Sequence, residues 1–297
     1  MPVNIFGVAL SFVSTALYAG SNILDSFFSN KIVTYVTPLI FLSSLFGLII
    51  TPIVWFFSPP QILPLPLFAI LLAIVGIQIA YQYPYYWSLR LTDTSVVTSL
   101  FSLGKIITPL IAFFLLGERL SESQYIGFIL IICSATALTL DIKKLRFNTA
   151  FYLMLFTSLI LSISAILEKY LYNHGVGWGS VIIYIALLQF FISGLCMLIP
   201  KHKKELATLF GNVRRIGVPY LLEEMGTWGG DVTSAWGLFL IPVSVLRALG
   251  STQPLFVLAY TLLFERKLPD YFKEDGELPL KKITFYVLIV LGTILVL

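Results

Sequence analysis

The chain has 297 residues, of which 58% are hydrophobic and 11% are charged, and its mean hydropathy is +0.93. A soluble domain carries about 25% charged residues, so the composition excludes an ordinary soluble protein. The net charge of +4 comes from basic residues that flank apolar segments. We therefore expect the lipid bilayer to be the partner of this chain, and we expect no nucleic-acid partner.

Ten apolar segments are long enough to cross a bilayer, since a helix needs roughly 20 residues to cross a core about 30 Å thick. They cover residues 5–27, 36–57, 66–88, 94–116, 123–140, 150–172, 178–199, 216–238, 243–263 and 282–297. The longest loops between them, 200–215 and 264–281, are too short to fold alone. The pattern predicts an all-α membrane protein with ten transmembrane helices.

The two halves of the chain resemble each other. Residues 86–97 align with residues 235–246 at a constant offset of 149, and residues 117–120 align with residues 264–267 at an offset of 147. Each half holds five segments, and an odd number of spans inverts the second half relative to the first. Such repeats are typical of transporters whose binding site lies near the midplane.

The repeat divides the chain into two units. We predict a first five-helix repeat over residues 1–140 and a second, inverted repeat over residues 149–297, arranged around a central cavity. Fifteen of the basic residues fall in the odd-numbered loops and two fall in the even-numbered loops. The positive-inside rule then places both ends of the chain outside the cytoplasm.

The end of the fourth segment carries a family resemblance. Residues 116–120 read Leu-Gly-Glu-Arg-Leu, residues 124–127 read Gln-Tyr-Ile-Gly, and residues 85–89 read Tyr-Tyr-Trp-Ser-Leu. In these stretches the chain resembles the drug/metabolite transporter superfamily, specifically its EamA-like ten-helix branch, although Phe264 stands where the family usually has glycine. The resemblance implies secondary transport of small organic solutes by spans 3, 4, 8 and 9 around a central cavity, with both termini cytoplasmic.

Lys105 lies near the middle of segment 94–116, where a charge costs roughly 2.5–3.5 kcal/mol on insertion scales. Such a residue usually faces a water-filled cavity or a partner. The helical face that carries Lys105 comprises Ser95, Thr98, Ser102 and Lys105. The corresponding face of the ninth segment comprises Ser244, Arg247, Ser251 and Pro254. The hydroxyls could instead bond to their own helix backbone, and Arg247 could extend to the membrane interface.

The third and eighth segments carry further polar faces. Gln78, Gln82 and Tyr85 share one face of the third segment, and Glu224, Thr227, Trp228 and Asp231 share one face of the eighth. Glu224 and Asp231 are about 10 Å apart along a helix. Acidic residues in a membrane helix indicate function, and the alternative is a structural salt bridge with Lys105 or Arg247. We rank Asp25, Glu168 and Lys169, which lie near segment ends, below this set, and we expect Glu223 to be paired or interfacial.

The sequence therefore predicts a set of site residues. The predicted substrate-binding residues are Lys105, Ser102, Thr98, Gln78, Gln82, Tyr85, Trp228, Asp231, Arg247 and Ser251, and the predicted coupling residues are Asp231 and Glu224. Lys105 and Arg247 would meet an anionic group, and Asp231 or Glu224 would meet an ammonium group or carry a coupling proton. For the proton, Asp231 is the stronger candidate because it aligns with Gln82.

Several functions fit this pattern. The first is a secondary transporter of small polar or zwitterionic metabolites, such as amino acids, working as a monomer or homodimer without a cofactor or metal. A proton-coupled exporter of organic cations or drugs fits nearly as well. A lipid-carrier flippase and an intramembrane enzyme are less favoured. Residues 229–231, Gly-Gly-Asp, resemble part of the Gly-x-Gly-Asp motif of intramembrane proteases, but Trp228 replaces its first glycine.

Overall fold

The structure is a computed structural model, and it describes residues 4–32, 34–91, 97, 100–101, 105, 107–139, 149–264 and 280–296. Within these ranges it contains helices and no strand, so the all-α prediction is confirmed there. The helices are α1 (Ile5–Lys31), α2 (Val36–Phe57), α3 (Leu65–Ala80), α4 (Gln82–Leu91), α5 (Thr108–Leu116), α6 (Glu122–Thr139), α7 (Thr149–Asn173), α8 (Trp178–Cys196), α9 (Pro200–Gly211), α10 (Val213–Leu240), α11 (Val243–Gly250), α12 (Gln253–Phe264) and α13 (Leu280–Val296).

The length and composition of the helices suit a membrane. Among the described residues, five stretches are long and apolar enough to cross one: Ile5–Ser29, Val36–Phe57, Leu65–Leu91, Thr149–Asn173 and Trp178–Cys196. Shorter apolar helices cover Glu122–Ser134 and Val287–Val296. Many large apolar side chains point outward, including Phe56, Phe114 and Phe191. An apolar exterior of this kind is the surface that lipid requires.

Two of the predicted spans are each built from two helices. The third span breaks at Tyr81, between α3 and α4, because Pro84 cannot donate to the carbonyl of Ala80 and its ring crowds that carbonyl. The ninth span breaks at Ser251 and Thr252, between α11 and α12, because a proline at position 254 likewise leaves the carbonyl of Gly250 without its helical donor. Both breaks adjoin a cavity, which Tyr81 and Gly250 help to line, and irregular backbone inside a membrane protein is tolerated beside a cavity.

The motif at residues 116–120 has a structural role at the turn between α10 and α11. Gly117 ends α5 in the left-handed conformation, with φ of 67°. This turn directs Glu118 at the start of α11, where its carboxylate accepts hydrogen bonds from the amides of Val243 (2.8 Å) and Ser244 (3.3 Å) and from the Ser244 hydroxyl (3.0 Å). A carboxylate at a helix N-terminus satisfies free amides and complements the helix dipole.

Lys169 holds the other side of the same turn. Its ammonium group donates to the carbonyls of Leu238 (2.8 Å) and Ile241 (2.9 Å), where α10 ends. Glu118 and Lys169 thus satisfy the backbone groups that the break between α10 and α11 leaves free. The prediction that Lys169 lies at a segment end is correct for its own helix, but its contacts are made to another helix.

The helices pack closely at glycines. The longest contact runs between α1 and α10, and α2 packs along α8. Helix α6 crosses α13 at Gly127 and Gly292, where a Cβ atom at Gly127 would lie 2.5 Å from the Gly292 carbonyl and one at Gly292 would lie 2.8 Å from the Gly127 carbonyl. Each glycine therefore allows the backbone of the other helix to approach.

The segment 200–215, expected to be a loop, instead contains the helix α9 and the start of α10. Helix α9 packs on α2, and the Glu205 carboxylate accepts hydrogen bonds from the amides of Thr34 and Tyr35 just before α2 begins. Lys201 lies over the Tyr35 ring at 5.0 Å. The expectation failed because α9 is amphipathic and short, so it carries no long apolar run.

We predict that Gly127→Ala destabilises the protein by about 1–3 kcal/mol, since the new methyl group meets a backbone carbonyl that cannot move away. Gly76→Ala, on α3, is the matched control because a Cβ atom there has no heavy atom within 4 Å. Thermal unfolding of the two purified variants in detergent checks the prediction. Equal transition temperatures would show that α6 and α13 do not cross at these glycines.

Candidate functional site

A cavity of about 220 Å³ opens between the helices α1, α3, α4, α7, α10 and α11. Its walls carry seven charged residues, which are Asp25, Lys105, Glu168, Glu223, Glu224, Asp231 and Arg247. Bringing seven such groups together inside an apolar protein is costly unless they meet counter-charges. The arrangement of their charges is therefore the main evidence for the nature of a ligand.

The two cations lie together at one end of the cavity. Lys105 is 8% exposed, and its ammonium group lies against Gly250, 3.6 Å from the position of a Cβ atom there. Arg247 is close enough to act electrostatically on Lys105. One Arg247 nitrogen, Nη2, donates to the carbonyl of Leu161 at 2.7 Å, whereas the buried Nε has no partner.

Two carboxylates lie near this cationic end. Asp231 accepts a hydrogen bond of 2.6 Å from the Tyr18 hydroxyl, and Glu168 accepts one of 3.2 Å from Ser164. Glu168 acts electrostatically on Arg247 and on Asp231. Both residues line the cavity.

Three further carboxylates form a second group, which we call the acidic group and define as Asp25, Glu223 and Glu224. Asp25 accepts hydrogen bonds from Tyr85 (2.9 Å) and Tyr86 (2.6 Å). Glu223 interacts electrostatically with both Glu224 and Asp25. All three are at most 6% exposed, so their mutual repulsion is only weakly screened by water.

Glu224 is held firmly by its neighbours. Its carboxylate accepts hydrogen bonds from the hydroxyls of Ser43, at 2.7 Å, and Tyr220. The indole nitrogen of Trp228 donates to the Ser43 carbonyl at 2.8 Å, which fixes Ser43 in turn. Trp228 packs its ring over Gly47 of α2. The position of Glu224 is thus determined by contacts between α2 and α10.

Aromatic rings line the wall between the two charged ends. Tyr85 contacts the rings of Tyr81 (6.4 Å between centroids), Tyr86 (5.2 Å) and Phe101 (5.3 Å). Tyr81 interacts electrostatically with Asp231 and with all three members of the acidic group, so it lies between the ends. Gln82 donates to the carbonyl of Gln78 at 3.0 Å, beside the break between α3 and α4.

Most of the predicted site residues lie on this cavity. The cavity-lining ones are Gln78, Gln82, Tyr85, Lys105, Glu224, Trp228, Asp231 and Arg247. Ser251 does not line it and donates to the Arg247 carbonyl at 3.1 Å, and Ser244 bonds to Glu118. Thr98 and Ser102 lie outside the described residues. The alternative, a salt bridge between Lys105 or Arg247 and a carboxylate of α10, is absent from the described part of the chain.

The sequence ranked Asp25, Glu168 and Glu223 too low. Asp25 was expected near the headgroups, and the structure buries it to 6% exposure on the cavity wall. A repeat at an offset of 143 could have found two of them: residues 23–25, Ile-Leu-Asp, align with residues 166–168, Ile-Leu-Glu. Asn30 and Asn173 match at the same offset. In this alignment Asp25 of α1 stands opposite Glu168 of α7.

Comparisons with known proteins agree with this architecture. Residues 5–140 match the model of the EamA-like transporter family. Among solved structures 28 chains match, and one titled "Crystal structure of protein" gives a TM-score of 0.66 at 15% identity, covering 98% of this chain and 96% of that chain. At this identity the likeness concerns the fold alone. The search of curated proteins gave no match.

We predict that Lys105→Met leaves the free energy of unfolding unchanged or raises it, because Lys105 forms no ion pair with a described residue and a buried charge is costly. Lys169→Met is the matched control, since it removes hydrogen bonds from an ammonium group to two carbonyls and should cost roughly 1.5–3 kcal/mol. Thermal unfolding in detergent compares the two. A loss of stability in Lys105→Met as large as the loss in Lys169→Met would show that Lys105 stabilises the fold.

Proposed function

The chain belongs to the EamA-like transporter family over residues 5–140, and on this basis we propose that it carries small zwitterionic organic metabolites across the membrane. It is a multi-pass integral membrane protein and a membrane transporter of the drug/metabolite type. Amino acids and related compounds are the proposed substrates. Gradients, and not a bound nucleotide, supply the driving force in this proposal.

The observation that carries the proposal is the separation of charge inside the cavity. Lys105 and Arg247 lie together on the cavity wall, and the acidic group forms a separate cluster of carboxylates on the same wall. Like charges held together in a poorly screened site repel each other. An anionic group on the ligand would relieve the repulsion between the two cations, and a proton or a cation would relieve the repulsion within the acidic group.

An α-amino acid can bind entirely at the cationic end. Its carboxylate would lie between Lys105 and Arg247, and its ammonium group would bind Asp231, beside Glu168. The hydroxyl of Tyr18 orients Asp231 through its 2.6 Å hydrogen bond. The side chain of the substrate would then extend toward the rings of Tyr81 and Tyr85.

The acidic group remains available for a coupling cation or proton. The sequence favoured Asp231 over Glu224 for this role. The contacts favour Glu224, because Glu224 interacts electrostatically with Glu223 and Asp25, whereas Asp231 is held by the Tyr18 hydroxyl. A proton driven across the membrane yields about 2.3 kcal/mol per 100 mV, which is enough to concentrate a solute severalfold.

The cavity size supports a small substrate. At about 220 Å³ it falls below the roughly 300–1,000 Å³ of pockets that hold drug-sized ligands. A lipid carrier or a large drug needs more room than this. The alternative that retains support is export of small organic cations, since five carboxylates and two basic groups line the cavity.

We also propose that the chain is a ten-helix inverted repeat divided at residues 1–140 and 149–297. Helix α1 packs on α10 and α12, and α7 packs on α3, α4 and α5, so the two halves exchange equivalent contacts. The reciprocal approach of Gly127 and Gly292 is what two related helices show near a twofold axis. A monomer has a complete cavity in this arrangement, although a homodimer is compatible with it.

Catalysis forms no part of the proposal. Among the residues that the structure describes, no cluster of histidine, cysteine or acidic side chains could hold a metal ion. Asp231, which follows the two glycines of the protease-like motif, binds Tyr18 and does not pair with a second aspartate. We assign Asp231 to substrate binding.

Flux of radiolabelled amino acids into proteoliposomes tests the proposal, with Glu224→Gln and Asp231→Asn as a matched pair. We predict that Glu224→Gln abolishes uptake driven by a proton gradient and keeps counterflow exchange. Asp231→Asn should raise KM about tenfold or more, since a charged hydrogen bond contributes roughly 1.5–3 kcal/mol. Absence of amino acid flux, together with uptake of quaternary amines, would replace the zwitterion by the cation alternative.

A further inference from the structure

Three nitrogen donors lie without acceptors around the break between α11 and α12. The Arg247 Nε atom and the Gln253 Nε2 atom are buried and make no hydrogen bond. The Lys105 ammonium group makes none with a described residue, and it lies against Gly250, the last residue of α11. All three side chains line the cavity.

Gln253 is the residue of this set that the sequence did not single out. It opens α12 directly after the break, and it is 9% exposed. An unpaired buried amide costs about 1–3 kcal/mol, so a glutamine at this position is unfavourable for stability alone. The residue is among those that line the same cavity as the two cations.

The local charge is also unbalanced. Glu168 acts on Arg247 and offsets one positive charge, whereas the charged group that acts on Lys105 is Arg247 itself. Among the described residues, these two cations thus interact with one carboxylate, that of Glu168. An anion with several acceptor oxygens would supply the counter-charge that Lys105 lacks and acceptors for donors at the break.

We propose that the break between α11 and α12 is an oxyanion-binding subsite, in which Gln253 selects the ligand by donating to an oxygen that Lys105 and Arg247 attract. The ligand class is a carboxylate or a phosphoryl group. This subsite adds detail to the proposed function. It rests on that function in one respect only, which is that the oxyanion is the anionic group of the transported substrate. Gln253 thereby acts as a specificity-determining residue.

The test measures the unfolding temperature of the purified full chain against sodium acetate and, separately, sodium phosphate, at constant ionic strength set with sodium chloride. The wild type should show a saturable rise, and the anion that saturates at lower concentration identifies the carboxylate or the phosphoryl group. General salt stabilisation is not saturable and appears in every variant. The saturable component therefore reports the subsite.

Two variants and one control complete the design. Gln253→Leu should weaken the apparent affinity for the oxyanion about tenfold or more, as expected for loss of a hydrogen bond to a charged group. Gln253→Glu should abolish the saturable rise in unfolding temperature, because the new carboxylate would pair with Lys105 and Arg247 in place of the oxyanion. Thr252→Val is the control, since Thr252 is buried, bonds to the Leu249 carbonyl and does not line the cavity.

The outcomes separate the subsite from the proposed function. Identical saturable curves for wild type and Gln253→Leu, or no saturable rise in the wild type with either anion, would overturn the subsite. Amino acid flux with an unchanged KM in Gln253→Leu would overturn it while leaving the proposed function intact. A saturable rise that depends on Gln253, in a protein that moves no amino acid, would support the subsite and reject the proposed function.

Discussion

Burying charge inside an apolar protein is costly, and the architecture of this chain depends on how that cost is met. Within the described residues, seven charged side chains face one small cavity, and no ion pair joins its cations to the carboxylates of α10. Hydroxyl groups of tyrosine, serine and threonine instead bind the carboxylates one by one. These hydroxyl groups position the carboxylates without forming ion pairs with them, so the cavity residues remain available to a ligand.

The same constraint explains the irregular helices. Breaks at Tyr81 and at Ser251 to Thr252 free backbone groups at the depth of the cavity, and the turn between α10 and α11 frees more. Glu118 and Lys169 satisfy the groups at that turn with full charges. The short motif around Gly117 and Glu118 is therefore understandable as a helix cap, with glycine supplying the conformation that directs the carboxylate to α11.

The sequence predicted the helical fold and eight of the residues that line the cavity, because both follow from periodicity. Lys105, Gln82 and Asp231 were found since a charge or amide inside an apolar segment is conspicuous. Asp25 was ranked too low because hydropathy ends the first segment at residue 27, only two residues after Asp25. Helix α1 continues to Lys31, so Asp25 lies well inside the helix. Helical spacing placed Ser251 on the same face as Arg247. It could not show that the Ser251 hydroxyl donates to the Arg247 carbonyl. The unpaired amide of Gln253 depends on contacts between distant segments and has no sequence signal.

The central claim is that the cavity recognises both charges of a zwitterion. Isothermal titration of the purified protein with leucine, leucine methyl ester and N-acetylleucine tests it most directly, because the three share a side chain and differ in charge. The account predicts that leucine binds at least about tenfold more tightly than either derivative, as the loss of one charged hydrogen bond implies. Equal or tighter binding of leucine methyl ester would contradict it and favour a site for organic cations.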